Sequence, residues 1–259
     1  MGPFHRLTDP SVRIVTHAYA QQLPQYAVFL RAQLTGLLPV QVPRTHVTVC
    51  YTPADRAVAD VIDDFILLLG NRLTLMPMSE DKLFRRSIGR NIAAKSCQES
   101  IIWFADVDHL ISANCLAALW WQMMTLDENV LAWPKSLWIQ REHEVGDQFV
   151  ADHLHTRGEI NLGCLGLAQF GFVRPSAAWE EKAYFSAIGG VQIVTGQYAR
   201  EYGYLDHAPK WQQPRTDGKP FGDFRDDVKF RKHCLSQMPG KVLNLPELYR
   251  LRHTPVTYK

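Results

Sequence analysis

Apolar positions along the first half of the chain change period in a regular way. Val12-Arg13-Ile14-Val15-Thr16-His17 is a short apolar run that predicts a strand, and Tyr26 to Leu38 then carries apolar residues at helical spacing. His46 to Tyr51 predicts a second strand, and Ala57 to Leu69 a second helix with Asp60, Asp63 and Asp64 on its polar side. Arg72 to Met76 predicts a third strand, Ser87 to Cys97 a helix and Ser100 to Ala105 a fourth strand. Strand and helix alternate through residue 126, the pattern of a parallel sheet with crossover helices. Beyond it the pattern loosens. Trp133-Pro134, Trp138, Gly163 to Gly171, Trp179, Gly189-Gly190 and Trp211 to Pro220 lie in irregular segments, and Val191 to Tyr202 and Asp226 to Ser236 are the two stretches that predict helices. Trp103, Trp120 and Trp121 are expected to pack in the core. No repeat, low-complexity tract or linker interrupts the chain. The expectation is one α/β domain over residues 1–259, with halves of about 1–126 and 127–259 sharing a sheet.

Composition narrows the class of protein. A net charge of +2 over 259 residues, with no dominant Lys/Arg run, gives no support to a nucleic-acid partner. Cys50, Cys97, Cys115, Cys164 and Cys234 are scattered, odd in number and unpaired by CxxC spacing, which argues against a disulfide framework or structural zinc and suits a reducing compartment. The opening Met1-Gly2-Pro3-Phe4-His5-Arg6 lacks a signal-peptide core. No apolar run approaches the roughly 18–20 residues of a membrane span. A cytoplasmic protein is expected, with peripheral contact at a membrane compatible with the sequence.

Candidate chemistry concentrates at Ser100-Ile101-Ile102-Trp103-Phe104-Ala105-Asp106-Val107-Asp108-His109. A buried strand ends abruptly in two carboxylates spaced i, i+2. In an open α/β sheet the carboxyl ends of the strands are where ligands bind. Paired carboxylates there suit a hard divalent cation carrying a diphosphate. Directly upstream, Arg85-Arg86-Ser87-Ile88-Gly89-Arg90-Asn91 brings guanidinium groups to a helix start, a natural phosphate site, with Arg86 and Arg90 as candidates. Gly189-Gly190 permits close backbone approach, and Gln192 offers hydrogen bonds to hydroxyls. Asp226-Asp227 opens a predicted helix, a placement that the helix dipole alone would favour.

The order strand, helix, Gly89-Arg90-Asn91-x-Ala-Ala, then Ile-Trp-Phe-Ala-Asp106-Val-Asp108 resembles the nucleotide-sugar half of family-two glycosyltransferases of the GT-A fold. The resemblance spans roughly Arg13 to His253. It implies a Rossmann-like, mostly parallel central sheet flanked by helices, a nucleotide-sugar-binding first half and an acceptor-binding second half. It implies that Asp108, helped by Asp106, holds a divalent cation on the donor diphosphate. Thr16, His17, Tyr19 and Tyr51 would line base and ribose, joined at the cofactor by Arg86, Arg90 and Asn91. Asp55 stands later than the base-contacting acid of relatives. Gly190 and Gln192 would approach the acceptor, with Trp133 a face on which a sugar could stack. Asp227, with Asp226 beside it, would be the general base, and His253 a third metal ligand. A carboxylate-plus-imidazole site favours manganese over magnesium or calcium.

The expected activity is therefore metal-dependent transfer of a hexosyl or related sugar from a UDP-, GDP- or dTDP-linked donor to a glycan, lipid-linked or protein hydroxyl, with inversion. A nucleotidyltransferase of related fold stays open, although Thr16 to Pro24 lacks the glycine-rich loop that reaction normally uses. A phosphatase of the Asp-x-Asp type would place the pair after its first strand. A non-catalytic sugar-binding protein would need neither the metal site nor Asp227.

Overall fold

The computed structural model describes residues 11–21, 23–41, 43–126, 128–165, 167, 178–214 and 225–254. The Gly- and Pro-rich stretches at 166, 168–177 and 215–224, which include Phe224, and the N-terminal residues 1–10 lie outside them. The first half folds as β1 (Ser11–His17), α1 (Gln25–Leu37), β2 (Arg44–Tyr51), α2 (Arg56–Leu69), β3 (Leu73–Pro77), α3 (Glu80–Leu83), α4 (Arg86–Ser96) and β4 (Ile101–Phe104). The second half follows as β5 (His109–Ile111), α5 (Ala113–Met124), β6 (Leu131–Pro134), β7 (Ser136–Gln140), α6 (His143–His153), β8 (Trp179–Ala183), β9 (Gln192–Thr195), α7 (Gly196–Tyr202), α8 (Asp226–Gln237), β10 (Gly240–Leu243) and β11 (Leu248–Arg250).

A seven-stranded sheet runs in the order β10-β6-β9-β4-β1-β2-β3, and a four-stranded sheet in the order β5-β11-β7-β8. In the large sheet β3, β2, β1 and β4 are mutually parallel, β10 is parallel to β6, and β9 alone runs antiparallel, between β4 and β6. This is the expected mostly parallel α/β sheet flanked by helices. Its strands are covered on both faces: Val12, Ile14, Ile101, Ile102 and Trp103 are fully buried. Side-chain caps fix where helices begin. Asp55 accepts from the amide of Val58 at the start of α2, and Ser112 accepts from that of Cys115 at the start of α5. Asp55 also accepts from the amides of Ala20 and Gln21 and is 2% exposed, so it ties the loop after β1 to α2.

Three sequence expectations need correction. Val191 to Tyr202 is a strand followed by a helix, and Thr195 marks the junction, its hydroxyl accepting from Tyr198. Trp121, expected in the core, is 63% exposed on α5, whereas Trp103 and Trp120 are buried. His143–His153, in the segment read as irregular, is a helix. All five cysteines are free thiols, and all but Cys164 are buried. Among the described residues no helix is long and apolar enough to cross a membrane.

At the amino ends of the central strands, away from the acidic pair, Arg13 on β1 holds Glu99 in two bonds of 2.7 and 2.9 Å, and His46 Nδ1 lies 2.6 Å from the same carboxylate. Burial alone would raise the Glu99 carboxyl, but Arg13 outweighs it and brings it down to about 2 from 4.5. A depressed carboxyl contributes stability that is complete above its unfolded value and is lost as pH falls toward its folded one. Thermal melts between pH 5 and pH 2 should therefore lose about 3 kcal/mol through this group. Glu99→Gln should flatten that part of the profile. An unchanged acid limb in the variant would show that the pair contributes nothing.

Candidate active site

The acidic pair leaves the large sheet at the end of β4 and enters the small sheet at β5, so it sits at the junction of the two. The turn is held from three sides. His109 N–H donates to Asp106 O, Gln33 Nε2 from α1 donates to the carbonyls of Asp106 and His109 (3.2 and 2.9 Å), and the Leu251 amide donates to Asp108 O (2.9 Å). Gly190 passes so close that a Cβ there would lie 2.3 Å from the Asp106 amide nitrogen. The Gly190 carbonyl accepts from the indole of buried Trp103 at 2.9 Å. The close backbone approach expected of this glycine is thus made to Asp106.

Each carboxylate has one oxygen anchored by arginine. Asp106 Oδ1 accepts from Arg86 Nη1 at 2.7 Å and Arg90 Nη2 at 3.2 Å, while Asp108 Oδ2 accepts from Arg250 Nε at 2.9 Å. Burial pushes both carboxyls up, but the guanidinium groups and His109 prevail and hold both below the usual carboxylate range. The second oxygens are differently placed. Asp108 Oδ1 and His109 Nδ1 are both buried and face each other at 2.9 Å. Asp106 Oδ2 makes no hydrogen bond among the described residues and faces Gly189. Ligand atoms of Asp106, Asp108 and His109 all lie within 4.8 Å of one another. Two carboxylate oxygens and an imidazole nitrogen clustered in this way fit a divalent cation.

His253 is not in this cluster. It follows the end of β11, its ring packs 5.1 Å from Phe29, and its Nδ1 lies 3.5 Å from Gln25 Nε2. The imidazole beside the acidic pair belongs to His109, and the β11 residue that reaches Asp108 is Arg250. Sequence reasoning missed both. Adjacency to Asp108 marked His109, and Arg250 became legible only through the pairing of β11 with β5, where it stands opposite His109.

Most of the proposed base and ribose residues are enclosed. Thr16, His17 and Tyr19 are 0%, 4% and 1% exposed. Neither ring nitrogen of His17 has a hydrogen-bond partner, and burial followed by Arg90 and Arg86 lowers its pKa well below the usual histidine value. Its ring lies so near α4 that a Cβ on Gly89 would come within 2.5 Å of Nε2. Tyr51, at the end of β2, is half-buried. Asn91 is committed to the α7 terminus: it accepts from the Tyr204 amide at 2.9 Å and donates to Asp206 at 3.0 Å. Gly203, φ 65°, ends α7 there. Trp133 is 9% exposed and packs over Gly240 at the outer end of the sheet.

Asp226 and Asp227 form the first turn of α8. Asp226 is 5% exposed and its Oδ1 accepts from the Asp227 amide. Asp227 Oδ2 accepts from the Gly189 amide at 2.9 Å, and its Oδ1 is buried and unpartnered. The glycine pair therefore touches Asp106 on one side and Asp227 on the other, and joins the two carboxylate clusters. Gln192, expected to meet hydroxyl groups, is 0% exposed, and its amide bonds Tyr204 and the Asp227 carbonyl.

No protein-family model and no curated protein matches the sequence. Solved structures do resemble the fold. S. aureus TarS 1-349 matches with a TM-score of 0.50 at 11% identity, over 93% of this chain and 60% of that one. The inositol-1-phosphate CTP transferase of T. maritima matches with a TM-score of 0.50 at 11% identity, over 96% and 92%. The Pyrobaculum calidifontis mannosyltransferase PcManGT, solved with GDP-Man and Mn2+, overlaps more loosely, with a TM-score of 0.48 at 16% identity over 98% and 59%. At these identities the likeness is one of fold. The chain spans less than two thirds of the TarS chain that it matches.

Proposed function

We propose that this chain is a glycosyltransferase that uses a nucleoside diphosphate sugar and a divalent cation, manganese rather than magnesium, and transfers the sugar with inversion. The observation that carries the reading is the clustered donor set of Asp106, Asp108 and His109 between three arginines, with the unpartnered Oδ1 of Asp227 beyond the Gly189-Gly190 turn. Asp106, Asp108 and His109 would hold the ion. When bound, it supplies Lewis-acid neutralisation of the departing diphosphate.

The chain's own residues do the rest. Arg86 and Arg250, part-exposed beside the carboxylates, add positive charge for the phosphates. The acceptor hydroxyl attacks the anomeric carbon as the bond from that carbon to the phosphate oxygen breaks. The hydroxyl proton passes to Asp227 Oδ1, and the electron pair leaves with the nucleoside diphosphate. A single displacement inverts the anomeric centre.

Nucleotidyl transfer on the same fold would have no need of a carboxylate base opposite the cation. UDP, GDP and dTDP, each with and without manganese, provide the test by thermal shift. A diphosphate at about 100 times its dissociation constant should raise the melting temperature by roughly 5–10 °C. Hydrolysis of the matching nucleotide sugar should accompany it. Absence of a shift from every nucleotide would sink the donor site, and pyrophosphate release from a nucleoside triphosphate would turn the reading to nucleotidyl transfer.

A further inference from the structure

Beneath the site a continuous hydrogen-bonded chain links the two acidic clusters. Arg90 donates through Nη2 to Asp106 and through Nη1 to the Tyr204 hydroxyl (3.2 and 2.9 Å). Tyr204 donates to Gln192 Oε1 at 2.9 Å, and Gln192 Nε2 donates to the Asp227 carbonyl at 2.8 Å. Arg90, Tyr204 and Gln192 are each 0% exposed. The links come from α4, the turn after α7, β9 and α8, which are distant in sequence. Aromatic packing fixes the middle of the chain. The Tyr204 ring stacks on Phe230 at 4.0 Å and meets Phe104 edge-on at 4.8 Å, and the Arg90 guanidinium lies 5.3 Å from the Tyr204 ring centre.

We propose that Tyr204 and Gln192 are positioning residues that set the place of Asp227 relative to Asp106, and so the distance between base and donor. The proposal rests on the glycosyl-transfer reading. Gln192 holds the main chain of Asp227 while Gly189 holds its side chain, so the carboxylate has two independent anchors, both of which lead back to Asp106. Four hydrogen bonds in series through buried side chains, with the Tyr204 ring packed between Phe230 and Phe104, hold one geometry, although Arg90 Nε itself has no partner. Removing the Tyr204 hydroxyl leaves Gln192 without its donor and frees α8 to shift. Misplacement of a reacting group by about 1 Å costs on the order of 100-fold in rate.

The experiment uses the full chain with UDP-glucose and GDP-mannose as probe donors and water as acceptor, alongside titration with UDP and GDP. Tyr204→Phe should lower kcat for donor hydrolysis by roughly 10- to 100-fold with donor KM and diphosphate affinity nearly unchanged. In an Asp227→Asn background the same substitution should change kcat less than about two-fold, because the group it positions is gone. Gln192→Met breaks the next link and should reproduce both results, which keeps the test open if Tyr204→Phe folds poorly. Equal losses in the two backgrounds would assign Tyr204 to stability alone and overturn the proposal. Native activity retained in both variants would overturn it as well. A native protein that binds none of UDP, GDP and dTDP and hydrolyses neither donor would remove the glycosyl-transfer reading, and the proposal with it.

Discussion

On the proposed reading, Asp227→Asn should lower sugar-transfer turnover by about 10²–10⁴-fold, the range for loss of a positioned general base. The amide keeps the size of the carboxylate and an oxygen to accept from the Gly189 amide, so the loop over Asp106 stays in place. What disappears is the capacity of Oδ1 to take a proton. Diphosphate affinity should stay within about three-fold, because on this reading the phosphates would meet Arg86, Arg250 and the ion rather than Asp227. The competing explanation is electrostatic. An acid in the first turn of a helix is worth about 0.3–1 kcal/mol through the helix dipole alone. On that explanation Asp227→Asn loses a little stability and no turnover. Asp226→Asn separates the neighbours: Asp226 Oδ1 already accepts from the Asp227 amide, so its loss should be felt in stability first. A turnover collapse confined to Asp226→Asn would transfer the role of base to that residue.

The parallel half of the fold was legible because its strands are short apolar runs separated by amphipathic helices, each bounded by residues that cap or turn the chain. β9 was not, for a physical reason. Ile193 and Val194 are buried on opposite faces of an antiparallel strand and Val191 is buried just before it, so no alternation marks them, and α7 follows without a break. The apolar residues of strand and helix merge into a pattern that reads as one helix. At the site the acidic pair and Arg86, Arg90 and Asp227 were visible as charged residues at element ends. The ligand geometry was not, because it depends on pairing between β5 and β11, some 140 residues apart (Arg250 opposite His109). His253 stands only three residues beyond Arg250, yet past the strand end it turns away onto Phe29. Gln192 and Asn91 had the right chemistry for a ligand, but burial committed both to hydrogen bonds within the fold.

Asp106→Asn should cost about 3 kcal/mol of folding stability, the lower end for breaking a buried ion pair from one side, since the Asp106 side chain is itself 25% exposed. Arg90 is 0% exposed, so its charge cannot turn to water when the carboxylate is lost, and Arg86 on the same oxygen is 16% exposed in its side chain. Asparagine offers one neutral oxygen where two guanidinium groups now share a full negative charge. For a domain of this size the melting temperature should fall by roughly 6–12 °C. A surface pair would lose less than about 1 kcal/mol, and a loss that small would show that the carboxylate is solvated rather than built into the core. Adding Arg90→Met should return part of the loss, because the stranded charge leaves with its partner. The functional consequence is separable from the structural one. Below the melting temperature of Asp106→Asn, manganese should no longer tighten UDP or GDP binding, since one of the three ligand atoms has lost its charge. Manganese-dependent affinity preserved in a folded Asp106→Asn protein would leave Asp106 as an anchor for arginine only, and would assign the cation to Asp108 and His109.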